Sequence, residues 1–385
     1  MVLDHIKLCN VRCYEQAELH PDPRFNVIVG LNGQGKTSIL EAIGLLASLR
    51  SFRNAKNVET IRVGQPEGKV AGGVRHGELN FGLDVTIWPS RKQGTVNGKT
   101  CKYLSEYVTR LSAVSFSPSD LEIIRGGPEN RRAWIDRVTQ IFYPEHVDAM
   151  ARFQKILVHR NRQLKALSEG RIDAAGRSPL PASFIFEKPP ADFEVWTEEL
   201  CDWGSKIIHK RIHTVDKIVE KIAQYYREIS RENQAITIEY LSGIFEKLPC
   251  GQQSPSSLEI VAQALRNSVT SSLRKELALG TTMVGPHRDD LDIKMGGNTV
   301  RAFGSQGEVR SLVLAMRLLE ADLYREVRGL NPILLIDDFS SELDARRRKY
   351  LLDYLMTSGS QIFLTTTEEI DLGKKFYVTE GKISV

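Results

Sequence analysis

The chain has 385 residues, 41% of them hydrophobic and 26% charged. That is ordinary globular usage, with room for roughly two or three domains, and it excludes a wholly disordered, collagen-like or fibrous chain. The formal net charge of +4 is too small to imply nucleic-acid binding by itself, and the longest apolar stretches, such as Ile333 to Ile336, fall far short of the ~18 residues of a membrane span. Five cysteines, at 9, 13, 101, 201 and 250, lack the paired spacing of a zinc site, and an acid, Asp4, stands where a secretory signal would be apolar. Both observations predict reduced thiols in a cytoplasmic protein with no membrane role.

Leu3 to Leu19 reads as a strand and its return, and Phe25 to Val29 as a buried strand ending at Gly30. Apolar residues at Ile39, Leu40, Ile43, Leu46 and Ala47 predict a helix over Thr37 to Leu49. A hairpin is expected over Lys69 to Trp88 around His76 and Gly77, and Asn97-Gly98 is a two-residue turn signal. From about Leu121 the pattern becomes long and helical, over Ala133 to Ala166 and Trp196 to Ile229. Between these runs, Ser168 to Asp192 holds Pro179, Pro181, Pro189 and Pro190 and reads as a loop; Pro249 to Ser257 reads as another. Strands are expected again at Asp290 to Met295, Thr299 to Phe303, Ile333 to Ile336 and Gln361 to Leu364, with helices over Glu308 to Arg325 and Asp344 to Met356. The order predicts an α/β domain built from both chain ends, 1–120 and 285–385, with a compact, mainly helical lobe, 121–284, inserted.

Gly30, Leu31, Asn32, Gly33, Gln34, Gly35, Lys36 and Thr37 match G-x-x-x-x-G-K-[ST], with Ser38 next. The match would arise by chance in roughly one or two chains per hundred of this length. Here it follows a predicted strand and opens a predicted helix, the context a phosphate loop needs. Glycines let the backbone wrap phosphates, Lys36 would reach the β- and γ-phosphates of ATP, and Thr37 would ligate Mg²⁺. Ile333 to Ile336 ends in Asp337 and Asp338. A solvated strand end is the bland reading of that pair alone. With a phosphate loop, Asp337 becomes a metal ligand and Asp338 the group that orients the attacking water. Ser305, Gln306, Gly307 and Glu308 precede a helix. They form a capping box, and the same geometry presents N–H groups to an anion.

These motifs, with Ser341 to Asp344, resemble the ATP-binding-cassette ATPases of the SMC type. More narrowly the chain is similar to the RecF family of bacterial recombination mediators. Matching stretches include Asn10 to Tyr14, Gly30 to Glu41, Ser51 to Arg53, Phe116 to Pro118, Arg131, Arg132 and Asp136, Arg160-Asn161, Gly285 to Asp289, Ser305 to Gly307 and Asp337 to Asp344. The resemblance implies that Ser305 and Gly307 act in trans on ATP held by a second copy, so that ATP drives a head-to-head homodimer, with Asp344 near the junction. It also implies binding of double-stranded DNA and single-to-double-strand junctions, and loading of RecA through RecR, often with RecO, in recombinational repair and replication-gap processing. Asp338 stands where cassette ATPases usually carry Glu, which predicts slow, DNA-stimulated hydrolysis. Thr365, Thr366 and Thr367 replace the usual switch histidine, Leu31 replaces a common Glu, and no Gln near Phe116 invites a metal assignment.

The span between Lys36 and Phe303 leaves no room for a long coiled coil. Arg152, Lys155, His159 and Arg162 fall at helical steps on one face. A solvated helix face is the commoner reading of such a stripe; in this family context Arg152, Lys155 and Arg162 are candidate contacts to a duplex backbone, and Arg346 to Lys349 are a second candidate run. His287, a lone histidine beside one acid, reads as structural. The rival function is a P-loop small-molecule kinase with no DNA role. A third reading is a nucleotide-gated DNA clamp whose turnover is incidental.

Overall fold

The apolar runs that the sequence marks as buried strands form the middle of one parallel sheet in the computed structural model, which describes residues 1–169, 191–245, 257–339 and 344–384. Most of the expected Pro-rich loop, whose two ends instead belong to helices, most of the second loop, Cys250 and Ser341 to Leu343 lie outside the described residues. The strands are β1 (Val2–Val11), β2 (Tyr14–Leu19), β3 (Phe25–Val29), β4 (Gly68–His76), β5 (Leu79–Trp88), β6 (Arg91–Val96), β7 (Lys99–Thr100), β8 (Ala113–Phe116), β9 (Ile236–Leu241), β10 (Asp290–Met295), β11 (Asn298–Thr299), β12 (Ile333–Ile336), β13 (Ile362–Thr366), β14 (Lys374–Thr379) and β15 (Lys382–Ser384). The principal helices are α1 (Lys36–Ser48), α2 (Pro128–Phe142), α3 (His146–Glu169), α4 (Ala191–Ser230), α5 (Leu258–Leu279), α6 (Gln306–Arg328) and α7 (Ala345–Thr357).

The chain divides into two compact units. The first holds Met1–Arg125, Glu220–Ala235 and Ala302–Val385. Its main sheet has the order β15-β14-β3-β13-β12-β8, parallel except for β15. Every residue of β12 and β13 is buried, as expected for strands covered on both faces. Its second sheet, β2-β1-β4-β5-β6-β7, is antiparallel and contains both expected hairpins. At the tight turn after β6, Asn97 and Gly98 have φ of 51° and 75°, the left-handed pair such a turn requires. Gln361 joins the sheets: its side chain accepts from Leu3 N at 2.8 Å and donates to Leu3 O at 3.0 Å.

The second unit holds Gly126–Val219 and Ile236–Arg301. Its helices cover a small antiparallel sheet, β11-β10-β9. The division between units thus falls elsewhere than the expected 120/121 and 284/285. The reason is the pairing of β9 with β10 over the full length of both strands, which keeps 285–301 with the helical residues. The strand expected at Thr299 to Phe303 is not formed: β11 stops at Thr299 and Val300–Phe303 is a short helix. The helical run over Ala133 to Ala166 is two helices, because Pro144 cannot donate a helical hydrogen bond. Helix α5, strands β8 and β9 and the β14–β15 hairpin carry no strong sequence signal and lie outside the expected elements. Among the described residues no helix is long and apolar enough to cross a membrane, and the four described cysteines are free.

Several motif residues shared with the resemblance build the core of this second unit. Arg160 is fully buried and donates to Glu276 Oε2 at 2.7 Å and Thr282 Oγ1 at 2.7 Å. Glu276 is fully buried too, and its second oxygen accepts from Met283 N at 2.8 Å. Arg211 makes a two-pronged pair with Asp136 at 2.8 and 2.9 Å and caps Pro286 O at 2.7 Å. Burial alone would raise the Asp136 carboxyl; Arg211 and His146 instead hold it well below the usual carboxylate range. Asp289 accepts from the Tyr240 and Ser242 hydroxyls at 2.6 Å each, and burial raises its carboxyl to about 6. His287 Nε2 lies 3.3 Å from Thr282 O and its ring packs near Phe153, contacts that fit the structural reading. Breaking one side of a buried pair strands the other charge, at about 3–5 kcal/mol. Arg160→Leu is therefore expected to lower stability by about that much in chemical denaturation, while Arg160→Leu with Glu276→Leu should recover most of the loss; equal stability of Arg160→Leu and the parent would refute the assignment.

Candidate functional site

Chain order along the parallel sheet decides what meets at its C-terminal edge. β13 lies between β3 and β12, so the loop after β3 and the acids after β12 are separated by one strand end, which carries Thr365. The Thr37 hydroxyl donates to Asp337 Oδ1 at 2.8 Å, and the Thr365 hydroxyl donates to the same oxygen at 2.8 Å. Thr365 Oγ1 in turn accepts from Asp338 N at 2.8 Å. Burial raises the Asp337 carboxyl; the two hydroxyls and the Arg53 guanidinium oppose that rise. Asp338 has φ of 53°, a left-handed conformation that Asp tolerates better than most residues. Thr365 and Thr366 are buried, Thr366 caps Glu368 N at 3.0 Å, and Thr367 is exposed. Of the three threonines, Thr365 is thus committed to the acids.

The glycine loop is shaped by its surroundings. A Cβ at Gly30 would stand 2.5 Å from Val378 O, and one at Gly35 would stand 2.6 Å from Cys13 Sγ. Gly35 also has φ of 109° and Gly33 of 81°, which side-chain-bearing residues rarely adopt. Tyr14 donates to Gly35 O at 3.1 Å, and Gln34 Oε1 accepts from Glu380 N at 2.5 Å. The β14–β15 hairpin, absent from the sequence expectations, therefore backs the loop. Lys36 is buried and donates to Gly30 O at 2.5 Å and Leu31 O at 2.9 Å. Burial lowers its pKa, against the pull of Asp338 and Asp337. Ser38 is buried under the loop with its N–H on Gly35 O at 3.0 Å, whereas Leu31, Asn32 and Gly33 are exposed. A cavity of about 70 Å³ opens beside Asp337 and Asp338, room for a few waters at ~10–15 Å³ each.

Oxygen-rich and compact, the Thr37–Asp337 pair suits a hard divalent cation. Behind it, Arg12 makes a two-pronged bond to the fully buried Glu41 at 2.8 Å on each prong, and Ser51 donates to Glu41 at 2.5 Å. Arg12 and Arg53 appear in the sequence only as part of matching stretches, with no residue-level signal for either contact.

Ser305 caps α6: its Oγ accepts from Glu308 N at 3.2 Å, and its own N–H meets Glu308 Oε2 at 2.7 Å. The expected capping box is present and exposed, beside Phe303 at 76% exposure. Arg125 donates to Gly304 O and Arg347 to Gly307 O, the latter at 2.8 Å. The expected basic run is largely engaged inside this unit: Arg346 donates to Ile229 O at 2.7 Å and Arg348 lies over the Phe339 ring. In the second unit, Arg152, Lys155, His159 and Arg162 are all exposed on α3. Arg152 pairs with Glu199 at 2.8 Å, and His159 stacks on Trp196 at 4.7 Å. Lys155 and Arg162 keep the clearest cationic face of the four.

Known proteins resemble this chain over nearly its whole length. The model of the "RecF/RecN/SMC N terminal domain" family matches residues 2–375. The "DNA replication and repair protein RecF" of Geotalea uraniireducens is 33% identical over 395 aligned positions covering 100% of both chains. A solved structure of "the recombination mediator protein RecF-ATP in RecFOR pathway" superposes with a TM-score of 0.85 at 30% identity, covering 100% of this chain and 97% of that one. An Smc head bound to the C-winged helix domain of ScpA superposes at 0.51 with 15% identity, a likeness of fold alone. With no long coiled coil among its described residues and with full-length matches throughout, the chain belongs to the RecF family of the RecF/RecN/SMC proteins.

Proposed function

We propose that this protein is an ATP-dependent DNA-binding protein of recombinational repair and replication-gap processing, acting in the cytoplasm. The convergence of Thr37 and Thr365 on one oxygen of Asp337, beside a glycine loop that excludes side chains, carries the reading. The names and structures of its relatives, which include RecF with ATP in the RecFOR pathway, support it.

The loop from Gly30 to Ser38 would wrap the phosphates with its N–H groups, and Lys36 would exchange the Gly30 and Leu31 carbonyls for phosphate oxygens. Mg²⁺, held by Thr37 and Asp337, would neutralise charge on the β- and γ-phosphates. Asp338, with its backbone fixed by Thr365, would orient the attacking water as a general base. Its short side chain suits slow turnover. Ser305 and Gly307 lie on an exposed loop and would complete the site of a second copy, so that ATP assembles a homodimer on duplex or junction DNA and hydrolysis releases it. RecR, with RecO, would be the partners through which RecA is loaded. The full-length likeness to RecF weighs against a small-molecule kinase.

Mixing two inactive variants tests the trans site. Ser305→Arg leaves its own glycine loop untouched and should bind ATP normally, yet fail to dimerise or hydrolyse. Lys36→Met should fail to bind ATP. A heterodimer of the two has one composite site with both defects and one intact, so ATPase activity should return on mixing. No return, where heterodimers demonstrably form, would refute the trans reading.

Duplex contact is expected at α3, through Lys155 and Arg162, with Arg152 exchanging Glu199 for a phosphate. Lys155→Glu with Arg162→Glu should weaken duplex binding regardless of sequence and flatten the slope of log K against log salt by about one unit for each phosphate no longer neutralised. An unchanged slope would place the DNA surface elsewhere.

A further inference from the structure

The loop at Ser305 is exposed, and an exposed loop that must meet a partner's nucleotide needs something to hold its shape. Its capping box fixes Ser305 against Glu308, but that bond lies within a single turn. Ties to the rest of the fold come from Arg125, which donates to Gly304 O, from Gln234, which donates to Glu308 Oε1 at 3.1 Å, and, with the most bonds, from α7. Arg347 Nη2 donates to Gly307 O at 2.8 Å, and its Nε donates to Ser311 Oγ at 2.9 Å, one turn further along α6. Its Nη1 pairs with Asp344, the residue that caps α7. The other oxygen of Asp344 accepts from Arg347 N at 2.9 Å. One guanidinium therefore bonds the first turn of α6 and the cap of α7 at once, using the fork geometry that Lys cannot copy. A second observation points the same way: a Cβ at Gly307 would stand 3.2 Å from Arg347 Nη2. A side chain at 307 would press on this guanidinium, which would have to give by a few tenths of an ångström.

We propose that Arg347 is a positioning residue: it locks the Ser305–Gly307 loop and the Asp344 cap of α7 into one preassembled face that acts on nucleotide bound by a second copy of the chain. The inference rests on the trans reading given above and adds to it a group that sets the loop's geometry from α7. In this role Arg347 acts through the loop it holds, not by its own contact with nucleotide. Its contribution is that the loop arrives already shaped, so dimer formation does not have to order it. A shift of about 1 Å in a positioning element can cost about a hundredfold in rate.

The test uses the full chain. Arg347→Ala should bind ATP as a monomer with Kd within about twofold of the parent, while kcat falls about ten- to a hundredfold. Arg347→Lys, able to reach one partner at a time, should fall between them. Gly307→Ala, which crowds the guanidinium without removing it, should lower kcat as well, and Arg347→Lys stands in if Arg347→Ala does not fold. Mixing with Lys36→Met separates positioning from general damage. Arg347→Ala should regain activity on mixing to the level that Ser305→Arg regains, because its own glycine loop is sound and the Lys36→Met partner supplies an intact loop. If Ser305→Arg is rescued and Arg347→Ala is not, Arg347 acts within its own subunit and the proposal is overturned. If neither is rescued, the trans reading fails and takes this proposal with it. Parent-like turnover of both Arg347→Ala and Gly307→Ala overturns the proposal alone.

Discussion

One carboxylate oxygen organises the site. Asp337 Oδ1 accepts from Thr37, at the start of α1, and from Thr365, at the end of β13. Three chain segments far apart in sequence are thereby fixed against each other at the carboxyl edge of a parallel sheet. That edge is where such sheets place ligands, because helix N-termini and loops gather there. The arrangement works only because β13 separates β3 from β12. It puts a hydroxyl, and not an apolar side chain, between the glycine loop and the acids. Asp338 depends on the same bond, since Thr365 Oγ1 also holds its backbone N–H while the residue adopts a left-handed φ. Strain of that kind persists where surrounding structure over-determines it.

The two compact units use their charges differently. In the first, arginines hold loops: Arg12 anchors the buried Glu41 of α1, Arg125 and Arg347 hold carbonyls on either side of Ser305, and Arg53 bears on Asp337. In the second, Arg160 and Arg211 are buried with Glu276 and Asp136. Several stretches that look like a functional signature are thus the polar framework of that unit. Buried pairs of this kind add little net stability over an apolar core but are costly to break on one side.

Much of the site is legible in the sequence for a physical reason. A glycine loop, its Lys-Thr and a strand ending in acids are local patterns, because the backbone must wrap a phosphate and an apolar strand must deliver a carboxylate. What cannot be read depends on which strands are neighbours. Thr365 looks like one of three equivalent threonines until β13 is placed between β3 and β12. The β14–β15 hairpin, whose Val378 carbonyl forbids a side chain at Gly30, has no strong periodic signal. The extent of the second unit is hidden because β9 and β10 pair across a long stretch of chain. Arg347 sits in a run of four cations that resembles a solvated or DNA-facing surface, and its bonds to Gly307, Ser311 and Asp344 separate it from its neighbours.

In the proposed mechanism one chain holds an incomplete ATP site and a second copy completes it. The most direct measurement is molar mass in solution, by light scattering or sedimentation, with and without ATP and Mg²⁺, for the parent and for Lys36→Met. The parent should be monomeric alone and dimeric with ATP, and Lys36→Met should stay monomeric in both. A parent that keeps one mass whether or not ATP is bound would contradict it.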